Sequence, residues 1–231
     1  MKTKMKLIIF LAVFICSFTL AQNKIEKIKG DVKVQIGSSE NWINAKEGME
    51  LKNNWFISTG ENSSVQINYQ EGKFSLKENS AISISDIKKM TVDELILALA
   101  MEDMINAPKK NEKTKSENTA VYGTEQTKND QIIIDNSSFG VKRLNGAMQL
   151  SENGFKESAV IFAKETYRKY PSTKLLADMK IYFADVLNEL GLYEEAYDEF
   201  NSAKSLTMTD QEKKEVELKL NSLSKKLISN Q

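Results

Sequence analysis

The stretch between residues 30 and 84 most constrains the fold, because its apolar residues alternate with polar ones in short bursts. Successive side chains of a β-strand point to opposite faces, so this period of two predicts half-buried strands. Residues that favour turns separate the bursts, among them Gly37, Gly48 and Gly60. We therefore predict a compact antiparallel unit of about six short strands. The alternating apolar residues are Val32, Val34, Ile36, Val65, Ile67, Tyr69, Phe74, Leu76, Ile82 and Ile84.

The order of landmarks in this stretch resembles the FecR domain. A Gly-x-Val-x-Val strand opens the stretch, and a Trp, a Gly-x-x-Leu and a strand ending in Thr-Gly follow it. A Ser-x-Val strand, a turn Gly and an Asn-Ser pair complete the set. These landmarks are Gly30, Val32, Val34, Trp42, Gly48, Leu51, Thr59, Gly60, Ser63, Val65, Gly72, Asn79 and Ser80. Two turns depart from the family pattern, since Asn53-Asn54 replaces Gly-Asp and Gln70-Glu71-Gly72 replaces Asp-Gly.

The resemblance implies a periplasmic or surface β-domain that contacts other proteins. The best-known members of the FecR family cross the inner membrane and control a sigma factor through a cytosolic segment. Only a few residues precede the hydrophobic segment of this chain. We therefore expect no intact transmembrane relay.

The first 21 residues predict a secretory signal peptide. Three lysines precede an apolar core at Leu7–Phe18, and Ala21 is a small residue at the expected cleavage point. That core is too short to span about 30 Å of hydrocarbon as a helix. We therefore expect cleavage after Ala21 and no transmembrane span in the mature chain. The expected location is the periplasm or cell surface of a Gram-negative bacterium.

Residue usage excludes several classes of function. The chain has 32 basic and 32 acidic residues, and loss of the three leader lysines leaves 29 basic residues. No basic field therefore exists to bind nucleic acid. The sequence has no histidine, and its one cysteine, Cys16, lies in the leader. Ser-His pairs, Cys-His pairs and ordinary zinc sites need these residues, so the mature chain cannot form them. Paired carboxylates can still catalyse glycoside hydrolysis, and an enzyme of that kind is a third hypothesis that needs an acidic pair inside a pocket. No Asp or Glu pair stands apart from the surface charges in the sequence, so we expect no enzyme activity and no cofactor.

Residues 91–105 predict a helix that caps the β-domain. Thr91 suits the N-cap, and Glu94 stands at the capping-box position. The apolar residues form a broad side, which we expect to pack on the open face of the sheet. The first domain is then expected at 24–106, followed by a charged, flexible linker at 107–137. The apolar side consists of Val92, Leu95, Ile96, Leu99, Met101, Met104 and Ile105.

From residue 138 the apolar period becomes helical. Two self-similar segments superimpose Gly154 on Gly191 and Ala159 on Ala196, an offset of 37 residues. This pattern resembles the tetratricopeptide repeat, a helix-turn-helix unit of about 34 residues. The resemblance implies a concave, helix-lined surface that binds peptides or proteins.

The predicted fold class is α+β. An all-β FecR-like domain capped by a helix is followed by a tetratricopeptide-like helical array over 138–231. The last helix of the array covers residues 209–228, and either Thr209 or Asp210 caps it.

The leading hypothesis is a non-enzymatic envelope protein that binds or scaffolds other envelope proteins or peptides. One alternative is a cell-wall or glycan-binding module in which Trp42 stacks on a sugar, although Trp42 also suits core packing. Another alternative is a remnant of a FecR-type signalling system. The candidate partner-binding residues are Trp42, Asn145, Lys180, Tyr182 and Asn188.

Overall fold

The structure is a computed structural model, and it describes residues 23–37, 41–69, 72–106 and 136–229. The predicted signal peptide at 1–21 and residues 107–135 of the predicted linker lie outside the described residues. Within them the chain forms eight strands followed by six α-helices, so the α+β class is confirmed.

The strands are short and lie between residues 23 and 83. They are β1 (Asn23–Lys29), β2 (Val32–Gln35), β3 (Trp42–Asn44), β4 (Glu50–Leu51), β5 (Phe56–Thr59), β6 (Ser64–Tyr69), β7 (Gly72–Leu76) and β8 (Ala81–Ser83). The α-helices are α1 (Val92–Asn106), α2 (Asn136–Glu152), α3 (Lys156–Lys169), α4 (Ala177–Glu189), α5 (Tyr193–Ala203) and α6 (Asp210–Ser229). Short 3-10 helices cover Ile84–Asp86 and Pro171–Leu175.

The strands form two four-stranded antiparallel sheets. One sheet has the order β4-β1-β6-β7, and the other has the order β3-β2-β5-β8. The predicted alternation is confirmed, since Val32 and Val34 of β2 and Val65 and Ile67 of β6 are all buried. The structure has eight strands where the sequence predicted about six. The prediction was low because β3 and β4 hold only three and two residues, which are too few to show a period of two.

The described chain divides into two compact units that differ from the predicted domains. The first unit holds residues 23–89 and 145–159, and the second holds 90–106, 136–144 and 160–229. The division therefore falls inside helices α2 and α3. Helix α1, which we placed with the β-domain, belongs to the second unit.

In the first unit the C-terminal half of α2 lies against strand β8. A methyl group added at Gly146 would lie only 2.1 Å from the carbonyl oxygen of Ala81, so helix and strand backbones meet closely there. The side chain of Gln149 donates a hydrogen bond to the hydroxyl of Ser80 at 2.7 Å. Both groups are buried, and the bond satisfies them without water.

The two self-similar segments share the same helix-ending turn. Gly154 has a φ of +88°, the amide of Phe155 donates to the carbonyl of Leu150 at 2.9 Å, and the amide of Gly154 donates to that of Ser151 at 3.0 Å. This pair of bonds defines the Schellman motif, in which glycine accepts the left-handed conformation. Gly191, with a φ of +81°, closes α4 through the equivalent pair of bonds at 3.0 and 3.2 Å. The two segments therefore share one type of backbone turn between consecutive helices.

Helices α1 and α6 begin with the same capping box. The amide of Glu94 donates to the hydroxyl of Thr91 at 3.2 Å, and the Thr91 amide donates back to the Glu94 carboxylate at 2.8 Å. Thr209 and Glu212 repeat this exchange at 3.2 and 2.7 Å. Thr91 is confirmed as a cap, and Thr209 rather than Asp210 caps the last helix.

Helix α1 buries its apolar residues differently from the prediction. Leu95 and Leu99 lie in a cluster of helical residues, whereas the prediction placed this side on the sheet. Three apolar residues in a row, Leu95 to Leu97, cannot share one face of a helix, so Ile96 and Leu97 stay exposed while Leu95 is buried. The cluster comprises Leu95, Leu99, Val160, Ile181, Ala184, Val186, Leu187, Leu192, Ala196, Phe200, Ala203, Val216, Leu220 and Leu223.

Candidate functional site

One side of helix α1 exposes a group of large apolar side chains, which we call the outer face of α1. Five of the ten exposed large apolar residues in the described chain lie on this one helix. At 100° per residue they cover about half of the circumference, and large exposed apolar patches are a feature of interaction sites in soluble proteins. The outer face consists of Ile96, Leu97, Met101, Met104 and Ile105, which are 44–77% exposed.

The opposite side of α1 fixes the helix within the second unit. Leu95 is fully buried, and Leu99 is 9% exposed. The guanidinium of Arg168 donates two hydrogen bonds to the carboxylate of Glu102, at 2.8 and 3.2 Å. These bonds raise the pKa of Arg168, so its guanidinium stays protonated and keeps donating to Glu102. Because α1 is packed, paired and capped, it presents the outer face on a fixed backbone.

Acidic side chains accompany the apolar residues of α1. The helix contains Asp93, Glu94, Glu102 and Asp103 and has no lysine or arginine. Glu94 serves the cap and Glu102 binds Arg168, whereas Asp93 and Asp103 are exposed. The outer face therefore combines an apolar surface with negative charge.

Lys180, a predicted partner-binding residue, belongs instead to an internal ion network. Its ammonium lies 2.7 Å from Glu199, which a second lysine, Lys164, also contacts. Burial raises the pKa of Glu199, but the charges and hydrogen bonds of the two lysines outweigh burial and hold it below its ordinary value. Lys180 also lies over the ring of Tyr167, at 5.1 Å from its centroid. The side chain of Lys180 thus joins helices within the second unit.

Two further predicted residues lie on the same helix as Lys180. Tyr182 is half-buried, meets the ring of Phe183 edge to face at 5.1 Å and packs against the helical cluster. Asn188 is half-buried and accepts a hydrogen bond from Lys226 at 3.3 Å. Residues two positions apart on a helix are separated by about 200° around its axis, so Lys180 and Tyr182 point to opposite sides of α4. The structure therefore does not bring these residues together into one groove.

The remaining two predicted residues belong to the first unit. Asn145 is half-buried, and its side-chain amide donates to the carbonyl oxygen of Asn79 at 2.8 Å, which ties α2 to the turn before β8. Trp42 opens β3, a strand at the edge of its sheet, and is half-buried. Asn145 thus has a structural contact, and Trp42 lies partly at the surface.

The described residues offer little support for a metal site, an acid–base catalytic site or a membrane-spanning helix. No group of three or more histidine, cysteine, aspartate or glutamate side chains is placed there to hold a metal ion. A cleft of about 430 Å³ in the first unit is lined by residues that include Asn23, Asn53, Tyr69 and Lys88. None of its described lining residues is an aspartate or glutamate, so the cleft has no carboxylate pair for acid–base chemistry. Among the helices described, none combines the length and the apolar character that crossing a membrane requires.

Comparison with known proteins identified no relative. No family model, curated protein or solved structure matches the chain.

The sequence predictions missed the outer face of α1. Four of its five residues were assigned to the side that packs on the sheet, and Leu97 was not assigned to any side. The available signal was the equal spread of apolar residues around the helix, which leaves a surplus after one side is buried.

Proposed function

We propose that this chain is a non-enzymatic, exported protein of the bacterial envelope that binds another protein through its helical unit. The observation that carries the proposal is the outer face of α1. A firmly anchored helix has little backbone freedom left to lose on binding, and covering its exposed apolar side chains with a partner is favourable. The FecR-like β-domain would serve as a second contact module.

Three further observations support the proposal. The connections at Gly154 and Gly191 repeat one helix-turn-helix geometry, as a tetratricopeptide-like array would require. The chain has no histidine for a nucleophile–base pair. The leader pattern of residues 1–21 supports export.

Capture from envelope extract with the full mature chain tests the proposal. The double variant Leu97→Gln/Met101→Gln removes two apolar side chains that are 64% and 56% exposed, so the fold should persist by circular dichroism. We expect captured protein to fall about tenfold or more, because central apolar contacts dominate binding energy.

A matched control uses exposed apolar residues on another helix. Leu218 and Ile228 of α6 are 62% and 72% exposed. The double variant Leu218→Gln/Ile228→Gln should capture as well as the parent chain. Loss of capture in this control with full capture by the α1 variant would place binding elsewhere and contradict the proposal.

A further inference from the structure

The charge on the outer face of α1 restricts what can bind there. On a helical wheel Asp93 lies between Ile96 and Leu97, and Asp103 lies beside Ile96. Both carboxylates are exposed, and within the described chain neither has a salt-bridge partner. They lie about 15 Å apart along the helix axis, since each residue advances the helix by about 1.5 Å. A ligand that covers the apolar residues must therefore also face two negative charges.

The backbone of α1 limits the binding mode. Its amides and carbonyls are used within the helix, so a partner cannot add as a strand and must bind through side chains. Exposed Leu, Ile and Met side chains form ridges into which the side chains of a second helix fit at an interaxial distance of about 8–10 Å. The two methionines adapt to different partner surfaces, because their side chains are unbranched and flexible.

We propose that the outer face of α1 binds an amphipathic helix of another protein that carries lysine or arginine beside its apolar stripe. The inference rests on the proposed function and names the chemistry of its partner. Two basic residues about ten positions apart on that helix would face Asp93 and Asp103.

Charge also argues against two other occupants. Two copies of α1 packed face to face would bring their carboxylates together in either orientation. Helices that lie on anionic membranes carry lysine and arginine beside the apolar face, and α1 has neither. A basic amphipathic helix satisfies both the apolar and the negative parts of the surface.

The test uses two designed amphipathic peptides with identical leucine patterns, one with lysine and one with glutamate at the polar positions. Binding to the full mature chain is measured by titration calorimetry. We expect the lysine peptide to bind at least about tenfold more tightly than the glutamate peptide, with affinity that falls as salt rises. Equal affinity for the two peptides, or binding of neither, would overturn the inference.

Two sets of variants locate the effect on α1. Leu97→Lys and Leu97→Glu remove the same apolar contact but add opposite charges. The lysine peptide should therefore bind Leu97→Glu more tightly than it binds Leu97→Lys. The double variant Asp93→Asn/Asp103→Asn should lower the affinity for the lysine peptide roughly 2- to 30-fold, which is the range expected for the loss of two exposed charge pairs. Glu194→Gln/Asp198→Asn on α5 removes the same total charge and should leave affinity unchanged. An equal loss in this control would show that only net charge matters and would overturn the inference.

The remaining outcomes separate this inference from the proposed function. If capture from envelope extract still depends on Leu97 and Met101 while the lysine peptide fails to bind, the proposed function stands and the basic-helix partner is wrong. If the chain self-associates in analytical ultracentrifugation and Leu97→Gln abolishes this, the occupant of the outer face is a second copy of the chain. If the chain binds vesicles of anionic lipid and Leu97→Gln abolishes this, the occupant is a membrane. Either result would overturn the basic-helix partner.

Discussion

At the residue scale, two glycines of the first unit are required for different physical reasons. Gly146 lies where α2 meets the backbone of Ala81, and glycine is required there because a side chain has no room. At Gly154 a Cβ would meet no described atom within 4 Å apart from those of its chain neighbours, so a side chain has room there. Glycine is required because its φ of +88° is in the left-handed region.

We predict that Gly146→Ala destabilises the protein more than Gly154→Ala does. The first change forces a methyl group against a carbonyl oxygen, and overpacking of this kind costs about 1–3 kcal/mol or more. The second change places alanine in the left-handed region at a cost of about 1–2 kcal/mol. Urea unfolding of both variants measures the two losses. A stable Gly146→Ala variant beside a weakened Gly154→Ala variant would show that α2 does not approach β8 as closely as described.

Glu199 gives a second prediction at this scale, on the pH dependence of stability. Because the pKa of Glu199 is lower in the folded chain than its ordinary value of 4.5, its ionisation stabilises the fold above that pH. This stabilisation is lost as pH falls through the lowered folded pKa. Replacing Glu199 with Gln leaves Lys164 and Lys180 without a counter-charge, which should cost about 3 kcal/mol at neutral pH.

The gap in stability between the parent chain and Glu199→Gln should therefore narrow as pH is lowered below about 4.5. Thermal melts from neutral to acidic pH measure this gap. Asp198→Asn, which removes an exposed carboxylate of the same helix, is the control and should change stability little. A constant gap for Glu199→Gln across the series would mean that its charge does not stabilise the helices.

At the element scale, small residues set how closely the repeated helices pack. Ala159 and Ala196 occupy equivalent repeat positions, and both are fully buried. Ala196 belongs to the helical cluster, which also includes Val216 and Leu220 of α6. A larger side chain at Ala196 must therefore displace other atoms of this cluster, to which both α5 and α6 contribute.

We predict that Ala196→Leu destabilises the protein by about 1–3 kcal/mol and loosens α6. Circular dichroism should show a lower melting temperature, and hydrogen exchange should show weaker protection of α6. Lys214→Ala, an exposed change on α6, should leave both measurements near the parent values. Unchanged stability in Ala196→Leu would mean that the cluster accommodates larger side chains than its packing indicates.

At the scale of the whole molecule, the predicted export would decide which partners the outer face of α1 can meet. If the signal peptide is cleaved after Ala21, the mature chain begins at Gln22 and carries 29 basic against 32 acidic residues. A mildly acidic chain in the envelope suits the basic partner that the charges of α1 favour.

We predict that mass spectrometry of envelope fractions finds a mature N-terminus at Gln22. No species containing Met1 should appear outside the cytosol, because signal peptidase acts during translocation. Ala21→Arg, which places a large charged residue at the cleavage point, should accumulate precursor. A full-length chain in the inner membrane of the unmodified strain would contradict the prediction.

Local features of this chain could be predicted from its sequence, because they depend on residues close together along the chain. The period of two between residues 30 and 84 predicted the buried pattern of β2 and β6. Thr91 with Glu94, three residues apart, predicted a capping box whose bonds lie within a single turn. Gly154 and Gly191 predicted helix ends because each turn is completed by its own backbone.

Tertiary structure alone decided which side of each helix is buried. In the sequence Lys180 is a polar residue that would suit a binding groove. Only the packing of α4 against α5 brings its ammonium into an ion pair with Glu199. Helix α1 has apolar residues on all sides, so its sequence cannot specify a buried side. The packing of Leu95 and Leu99 makes that choice and leaves Leu97 and Met101 in solvent. The physical reason is that burial depends on contacts between residues far apart in sequence, whereas caps, turns and strand periods depend on neighbours.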